Sequence, residues 1–154
     1  MLWLLRHAEA QQGGPDDGRP LTQRGARQAK AAGLAMHRLG IRLDACFCSP
    51  KVRARQTAEL VREVLGVPVT PTPVLAGAPF DVQELTAGLD DVLLVGHDPS
   101  FTMTLHDLTG AQARMAKGGL AGVAKGELLV LMRPTELDAI AEQARAPVTA
   151  GDRL

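Results

Sequence analysis

The stretch Leu2-Trp3-Leu4-Leu5-Arg6-His7-Ala8-Glu9 carries four apolar residues and then, with no transition, a guanidinium and an imidazole. The apolar run has the length of a buried strand. The next residues, Ala10 to Pro20, are rich in Gly, Pro and Asp and read as a loop. Arg6 and His7 therefore fall where a core strand stops. In open α/β sheets that carboxyl edge is where ligands bind. A guanidinium beside an imidazole there suits an anion together with a nucleophile or acid. Taken alone, the pair equally suits two polar residues leaving a strand.

Outward from this stretch, strand and helix signals alternate. Thr22 is an N-cap for a helix from Gln23 to Leu39, with Ala26, Ala29, Ala32 and Leu39 near one face and Gly40 as its stop. Leu43 to Cys48 reads as a second strand. Ser49-Pro50 then reads as a cap and first turn for a helix from Lys51 to Leu65, its core side drawn from Val52, Leu60, Val61, Val64 and Leu65. Arg53 falls in the first turn, close to the end of the strand before it. Three prolines between Val67 and Val74 predict an edge strand or extended connection. A short helix is predicted over Phe80–Leu89. Asp91 to Val95 is the clearest strand, with Gly96 and His97 directly after it. Asp98-Pro99 repeats the cap-then-proline pattern, for a helix to about Leu108.

Two strands, Gly118–Ala124 and Leu128–Met132, form a predicted hairpin around Lys125-Gly126. Thr135 caps a last predicted helix over Glu136–Arg145, and the tail after Pro147 is expected to fray. The alternation predicts one α/β domain over residues 1–154, with a mostly parallel sheet and helices on both faces. Three strand ends then look alike: Arg6 and His7, Arg53 just past Ser49-Pro50, and His97. If those strands are neighbours, two imidazoles and two guanidiniums meet in one pocket.

Composition narrows the function classes. Seventeen basic residues balance seventeen acidic ones, so no net field draws the chain to nucleic acid or to a membrane surface. Aromatics are 3% of the chain with no Tyr, which makes the core aliphatic and removes the stacking platforms of single-strand binders. No stretch approaches the ~20 apolar residues of a membrane span. The N-terminal run lacks the basic flank of a signal peptide. Cys46 and Cys48 would share one strand face, where a bridge between them is badly strained. They read as free thiols, which fits a cytoplasmic location. A C-x-C pair without a second cluster lacks the ligands for zinc.

Leu5-Arg6-His7-Ala8, Arg19-Pro20-Leu21-Thr22 with Gly25, Ser49-Pro50 with Arg53-Ala54, Gln56 and Thr57, and Val95-Gly96-His97 together resemble the histidine phosphatase superfamily. Within it, the short length and Gly96-His97-Asp98-Pro99 most resemble the small SixA-type phosphohistidine phosphatases. The resemblance implies a three-layer α/β/α sandwich and a covalent phosphohistidine intermediate, and the chemistry expected from it invokes no cofactor or metal. It implies His7 as the nucleophile, with Arg6, Arg53 and His97 lining the phosphate pocket and Arg19 added to the substrate-binding set.

These residue types suit phosphoryl transfer, which asks mostly for positioning and charge stabilisation. Arg6 and Arg53 read as a clamp, because a planar guanidinium matches two phosphoryl oxygens. A cation in the first turn of a helix opposes the macrodipole, which hints that Arg53 has another task. His7 must attack as neutral imidazole, with a backbone carbonyl expected to fix its tautomer and flanking cations expected to lower its pKa. His97 is expected to donate to a phosphoryl oxygen, aided by amides at the helix start after Asp98. By itself it also suits a loop histidine beside a cap. Arg24, Arg27, Arg55 and Arg62 read as surface charge, and His37 and His106 have no role.

A general acid is not marked by a motif. Asp81, Glu84 and Glu9 are the candidates, and a missing acid would fit a phosphohistidine substrate, whose imidazole leaves readily. The expected partner is a phosphohistidine protein such as a phosphotransfer domain. The alternatives are a small sugar or nucleotide phosphate, or a phosphoprotein-binding module without turnover.

Overall fold

The structure, a computed structural model, describes residues 1–143. Its strands are β1 (Leu2–Arg6), β2 (Ala45–Cys48), β3 (Val69–Pro71), β4 (Val92–Gly96), β5 (Leu120–Ala124) and β6 (Glu127–Met132). Its helices are α1 (Gln23–Arg38), α2 (Val52–Leu65), α3 (Val82–Leu85), α4 (Ser100–Thr109) and α5 (Pro134–Gln143), with 3₁₀ turns at Asp16–Gly18 and Pro73–Leu75.

The strands form one sheet in the order β3-β2-β4-β1-β5-β6. β2 pairs with β3 and β4 in parallel, and β4 with β1 in parallel. The predicted hairpin adds the antiparallel edge, β1-β5-β6. The sheet is therefore mixed, parallel through the half that carries the site.

Alternation along each strand divides the core. Trp3 and Leu5, Cys46 and Cys48, and Leu93 and Val95 point to the face covered by α1, α2 and α5. Leu4, Val92, Leu94 and Ala121 point to the other face, under Phe101 and Leu105 of α4. Apolar side chains on both faces need helices on both sides, giving the α/β/α layering. Both thiols are free and buried, and burial pushes Cys46 up to about 12 and Cys48 to about 11.

Several local expectations are corrected. Leu39 is half exposed at the end of α1, whose buried side is Gly25, Ala29, Ala32, Gly33, Ala35 and Met36. On α2 the buried side is Arg53, Ala54, Thr57, Ala58 and Val61, so of the predicted apolar set only Val61 is fully covered. The helix rests on small residues, and the same face turns Arg53 inward. Lys51, not Ser49, holds the N-cap position of α2. In α4 the helical hydrogen bonding begins at Ser100, although Asp98 still accepts from the Thr102 amide (3.1 Å) in the manner of a cap. The helix predicted over Phe80–Leu89 is reduced to the four residues of α3, started by the Asp81 carboxylate accepting from Glu84 N–H. Thr135 lies inside α5 instead of capping it, and Glu136 accepts from Arg133 N–H there. The predicted end at Arg145 and the tail after Pro147 lie outside the described residues.

Gly25 ties α1 to the loop that follows β1. Its N–H donates to the Thr22 hydroxyl at 2.9 Å, and a Cβ there would overlap the Glu9 carbonyl oxygen. That oxygen already accepts from Thr22 N–H (3.0 Å) and cannot withdraw freely. Gly25→Ala is therefore expected to lower stability by about 1–3 kcal/mol, read as a drop in the urea midpoint at unchanged m-value. A midpoint equal to wild type would show that the contact relaxes without cost.

Candidate active site

The register of the three central strands builds the site. Leu5 lies beside Val95, and Val95 beside Cys48, so the residues just past β1, β4 and β2 emerge at one level. His7 N–H donates to the Gly96 carbonyl (2.9 Å) and Ser49 N–H to the Val95 carbonyl (2.9 Å), carrying the ladder one step further. Gly96 lets Phe101 pack against the end of β4, since a Cβ there would meet the Phe101 ring at 2.8 Å. His7, Arg53 and His97 all end up about 95% buried, with the two imidazole centroids 5.2 Å apart.

His7 Nδ1–H donates to the carbonyl of Ala8 at 2.8 Å, as expected. That bond places the lone pair on Nε2. Arg53 Nε–H approaches Nε2 at 3.4 Å. The pKa of His7 is lowered from 6.5 to about 4. Burial is the main cause, with the Ala8 bond opposing it and Arg53, Arg6 and Lys117 adding smaller contributions. The flanking cations invoked from sequence act in the expected direction but are secondary to burial. His97 is lowered to about 3, again chiefly by burial and then by His7, Arg53 and Lys51.

The nucleophile loop is held by the motif residues around it. Ala8 N–H donates to Thr57 Oγ1, which itself donates to the Arg53 carbonyl (2.7 Å). Leu21 N–H donates to Gln56 Oε1 at 2.8 Å. Thr57 and Gln56 thus fasten α2 to the chain on both sides of the loop.

Arg53 departs from the expected clamp. Its Nη1 donates to the Asp16 carbonyl at 2.7 Å and its Nη2 meets the Asp16 carboxylate at 3.4 Å. One edge of the guanidinium is anchored on the loop, and Nε faces His7. Asp16 also receives Lys51 Nζ (2.8 Å) and Arg19 Nη2 (3.1 Å), which hold its carboxyl well below the usual carboxylate range. Arg19 donates to Asp16 and to the Gln11 carbonyl, and not to His7 or His97. Sequence placed it in the substrate-binding set; here it supports the residue that anchors Arg53. Asp16 and Lys51 were missed. The only signal in sequence is the i, i+3 spacing of Asp16 and Arg19.

Arg6 Nη1 donates to the Met115 carbonyl (2.9 Å) and lies 3.7 Å from the Asp98 carboxylate, while its Nε is buried without a protein partner. His97 Nε2 lies 2.8 Å from Ser49 Oγ, and its Nδ1 is likewise buried and unpartnered. His7, Arg6, Arg53 and His97 therefore gather at one place, and two of them present unengaged buried nitrogens.

The three acid candidates are not gathered there. The Glu9 carboxylate accepts from the Thr22 hydroxyl (2.9 Å) and lies 3.9 Å from Arg24. Asp81 caps α3. Asp81 and Glu84 line an open cavity of about 520 Å³ with Thr72 and Pro73, and none of the four site residues borders it. Among the described residues, no group of three or more His, Cys, Asp and Glu side chains is gathered in a way that could hold a metal ion.

Comparison with known proteins adds to this geometry. The model of the histidine phosphatase superfamily (branch 1) matches residues 2–86. The chain resembles SixA of Agrobacterium tumefaciens, a protein assigned as a phosphohistidine phosphatase, with 27% identity and a TM-score of 0.77 over 86% of this chain and 97% of that one. It also matches the fold of the protein histidine phosphatase SixA complexed with tungstate, with a TM-score of 0.79 and 24% identity over 88% and 98% of the two chains. A curated relative, the mitochondrial serine/threonine-protein phosphatase Pgam5 of Drosophila willistoni, is 44% identical over 59 residues. That match covers 38% of this chain and 20% of the relative, so the chain spans about a fifth of its length.

Proposed function

The chain belongs to the histidine phosphatase superfamily, and from that premise we propose that it hydrolyses phosphoryl groups through a covalent phosphohistidine on His7, taking them from phosphohistidine on a protein. The observation that carries this reading is the state of His7: Nδ1–H donates to the Ala8 carbonyl, and among the described residues the unprotonated Nε2 meets only the long 3.4 Å hydrogen bond from Arg53 Nε–H.

Nε2 attacks phosphorus, forming a P–N bond as the bond to the leaving group breaks. Arg53 Nε–H, Arg6 and His97 offset the charge on the equatorial oxygens. Water then attacks the phosphoryl group on His7, the P–N bond breaks, and the electron pair returns to Nε2 with release of phosphate. The His7 Nδ1–H to Ala8 bond persists throughout and fixes which nitrogen reacts.

The leaving group supports the substrate class. The Glu9 carboxylate is held by Thr22 and Arg24 and that of Asp81 caps α3, and Asp16, held ionised by three cations, cannot supply a proton at neutral pH. An imidazole, with a pKa near ~6.5, leaves with far less help than an alkoxide. The chain between Leu75 and β4 builds only the four-residue α3. No helical insertion covers the site from that side, which suits a substrate on a protein surface. Among the described residues no helix is long and apolar enough to cross a membrane. A cytoplasmic location is part of the same reading, supported by the two free thiols.

Comparing kcat/KM for a phosphohistidine-bearing phosphotransfer domain and for an aryl or sugar phosphate tests the substrate class. The protein substrate should be preferred by orders of magnitude. A preference for the small ester would overturn the assignment and leave the His7 mechanism standing.

The pH profile gives a second test. An ordinary histidine nucleophile is lost below ~6.5. With His7 lowered to about 4, kcat/KM should stay level through pH 6.5 and fall with a midpoint near 4. Stability runs the other way from a paired histidine. The unfolded chain takes up protons below ~6.5 that folded His7 and His97 refuse, so the fold weakens on acidification from there toward 3–4. Rates should therefore be taken only where the protein remains folded. An acid limb centred on 6.5 would contradict the buried, neutral nucleophile.

A further inference from the structure

Ser49 has no part in the chemistry above, yet it is wholly buried at the end of β2 with its hydroxyl 2.8 Å from His97 Nε2. The register places it there. Cys48 pairs with Val95, so the next residues out, Ser49 and then His97 beyond Gly96, face each other across the sheet edge. The Ser49 oxygen already accepts from the Lys51 backbone N–H at 3.2 Å.

A hydroxyl has one hydrogen to donate and two lone pairs. Here one lone pair is taken by Lys51, and His97 Nε2 is the only acceptor bonded to the hydroxyl among the described residues. Were the imidazole proton on Nε2, it would point at the Ser49 oxygen and the hydroxyl hydrogen would be stranded in the interior, a condition folded proteins avoid. With the proton on Nδ1, Nε2 accepts from Ser49, the hydroxyl and Nε2 are both satisfied, and only Nδ1–H is left open.

We propose that Ser49 is a positioning residue for His97: its hydroxyl donates to Nε2 and holds the ring as the neutral tautomer with its proton on Nδ1. Nδ1 is buried and has no protein partner, so in this tautomer it is the ring N–H free to donate to a phosphoryl oxygen. The opposite tautomer would turn a lone pair toward that oxygen and repel it. The assignment of the tautomer stands on geometry alone; its use on a phosphoryl group rests on the function proposed above.

The test is a long-range ¹⁵N–¹H correlation spectrum of the histidine rings at neutral pH, on the wild-type protein and on Ser49→Ala, with kinetics on the same two proteins. Wild-type His97 should show a protonated Nδ1 and a bare Nε2. In Ser49→Ala the ring should shift toward a protonated Nε2, and kcat should fall about 10–100-fold, the scale on which orienting bonds to histidines act, with KM changed little. A wild-type spectrum with the proton on Nε2 overturns the proposal, and that spectrum decides even if Ser49→Ala fails to fold. A folded Ser49→Ala with the wild-type tautomer overturns it as well. The expected tautomers in a protein without turnover of any phosphorylated substrate would uphold the role of Ser49 and defeat the phosphatase reading.

Discussion

Replacing His7 with alanine is expected to lower kcat by on the order of 10⁵-fold or more, the scale seen when an enzyme loses its nucleophile. The reason is local. Among the described residues His7 is the only histidine whose Nδ1 is pinned at 2.8 Å while Nε2 faces an arginine N–H, and no neighbour can take over the attack. His97 sits 5.2 Å away between ring centroids, but its Nε2 is engaged with Ser49. The variant should stay folded, because the ring's only hydrogen bonds among the described residues are one to the adjacent Ala8 carbonyl and a long one from Arg53, each of modest net worth. His7→Asn, closer in size and able to donate to the same carbonyl, should be as inactive. Thermal melts alongside the kinetics separate a missing nucleophile from a damaged fold. Turnover within tenfold of wild type in a folded His7→Ala would remove His7 from the mechanism.

Arg53→Ala should cost on the order of 10³-fold in kcat, the scale of arginines that stabilise phosphoryl transfer. Arg53→Lys should recover only part of it. The guanidinium works in two directions at once: Nη1 and Nη2 hold Asp16, while Nε–H faces His7. A lysine has one ammonium on a flexible stem and cannot span both. The lysine variant should therefore either reach the phosphoryl group from an unanchored position or stay with Asp16 and leave it. Full activity in Arg53→Lys would show that charge alone suffices and that the Asp16 anchor is dispensable.

The convergence of His7, Arg6, Arg53 and His97 was legible in sequence because Arg6 ends a strand, His7 and His97 follow one directly, and Arg53 lies in the first turn after one. The order of the strands in a parallel sheet does the rest. That a backbone carbonyl would hold the inner nitrogen was foreseeable, because a histidine leaving a strand has few other partners for it; that the carbonyl is the one of Ala8 was not. The supporting contacts were not legible. Arg53 meets Asp16 across 37 positions, through a 3₁₀ turn whose geometry no periodicity encodes. Ser49 reads as an N-cap because serine before proline usually is one. In the fold, its place beside His97 claims the hydroxyl first, and the cap passes to Lys51. The apolar stripe misassigned on α2 has the same origin. Hydropathy points to valines and leucines, whereas close packing on the sheet selects Ala54 and Ala58 and brings a buried arginine with them. The dominant cause of the low His7 pKa was also hidden, since burial is a property of the assembled site.

Trapping the intermediate tests the central claim most directly. The protein is mixed with a phosphohistidine-bearing protein and, separately, with an aryl phosphate, quenched in base within milliseconds, and the phosphoryl group is mapped by peptide analysis. The predicted result is an acid-labile, base-stable phosphoryl group on His7, formed from the protein donor and absent in His7→Ala. A phosphoryl group mapping to any other residue, or one that persists in His7→Ala, would contradict it.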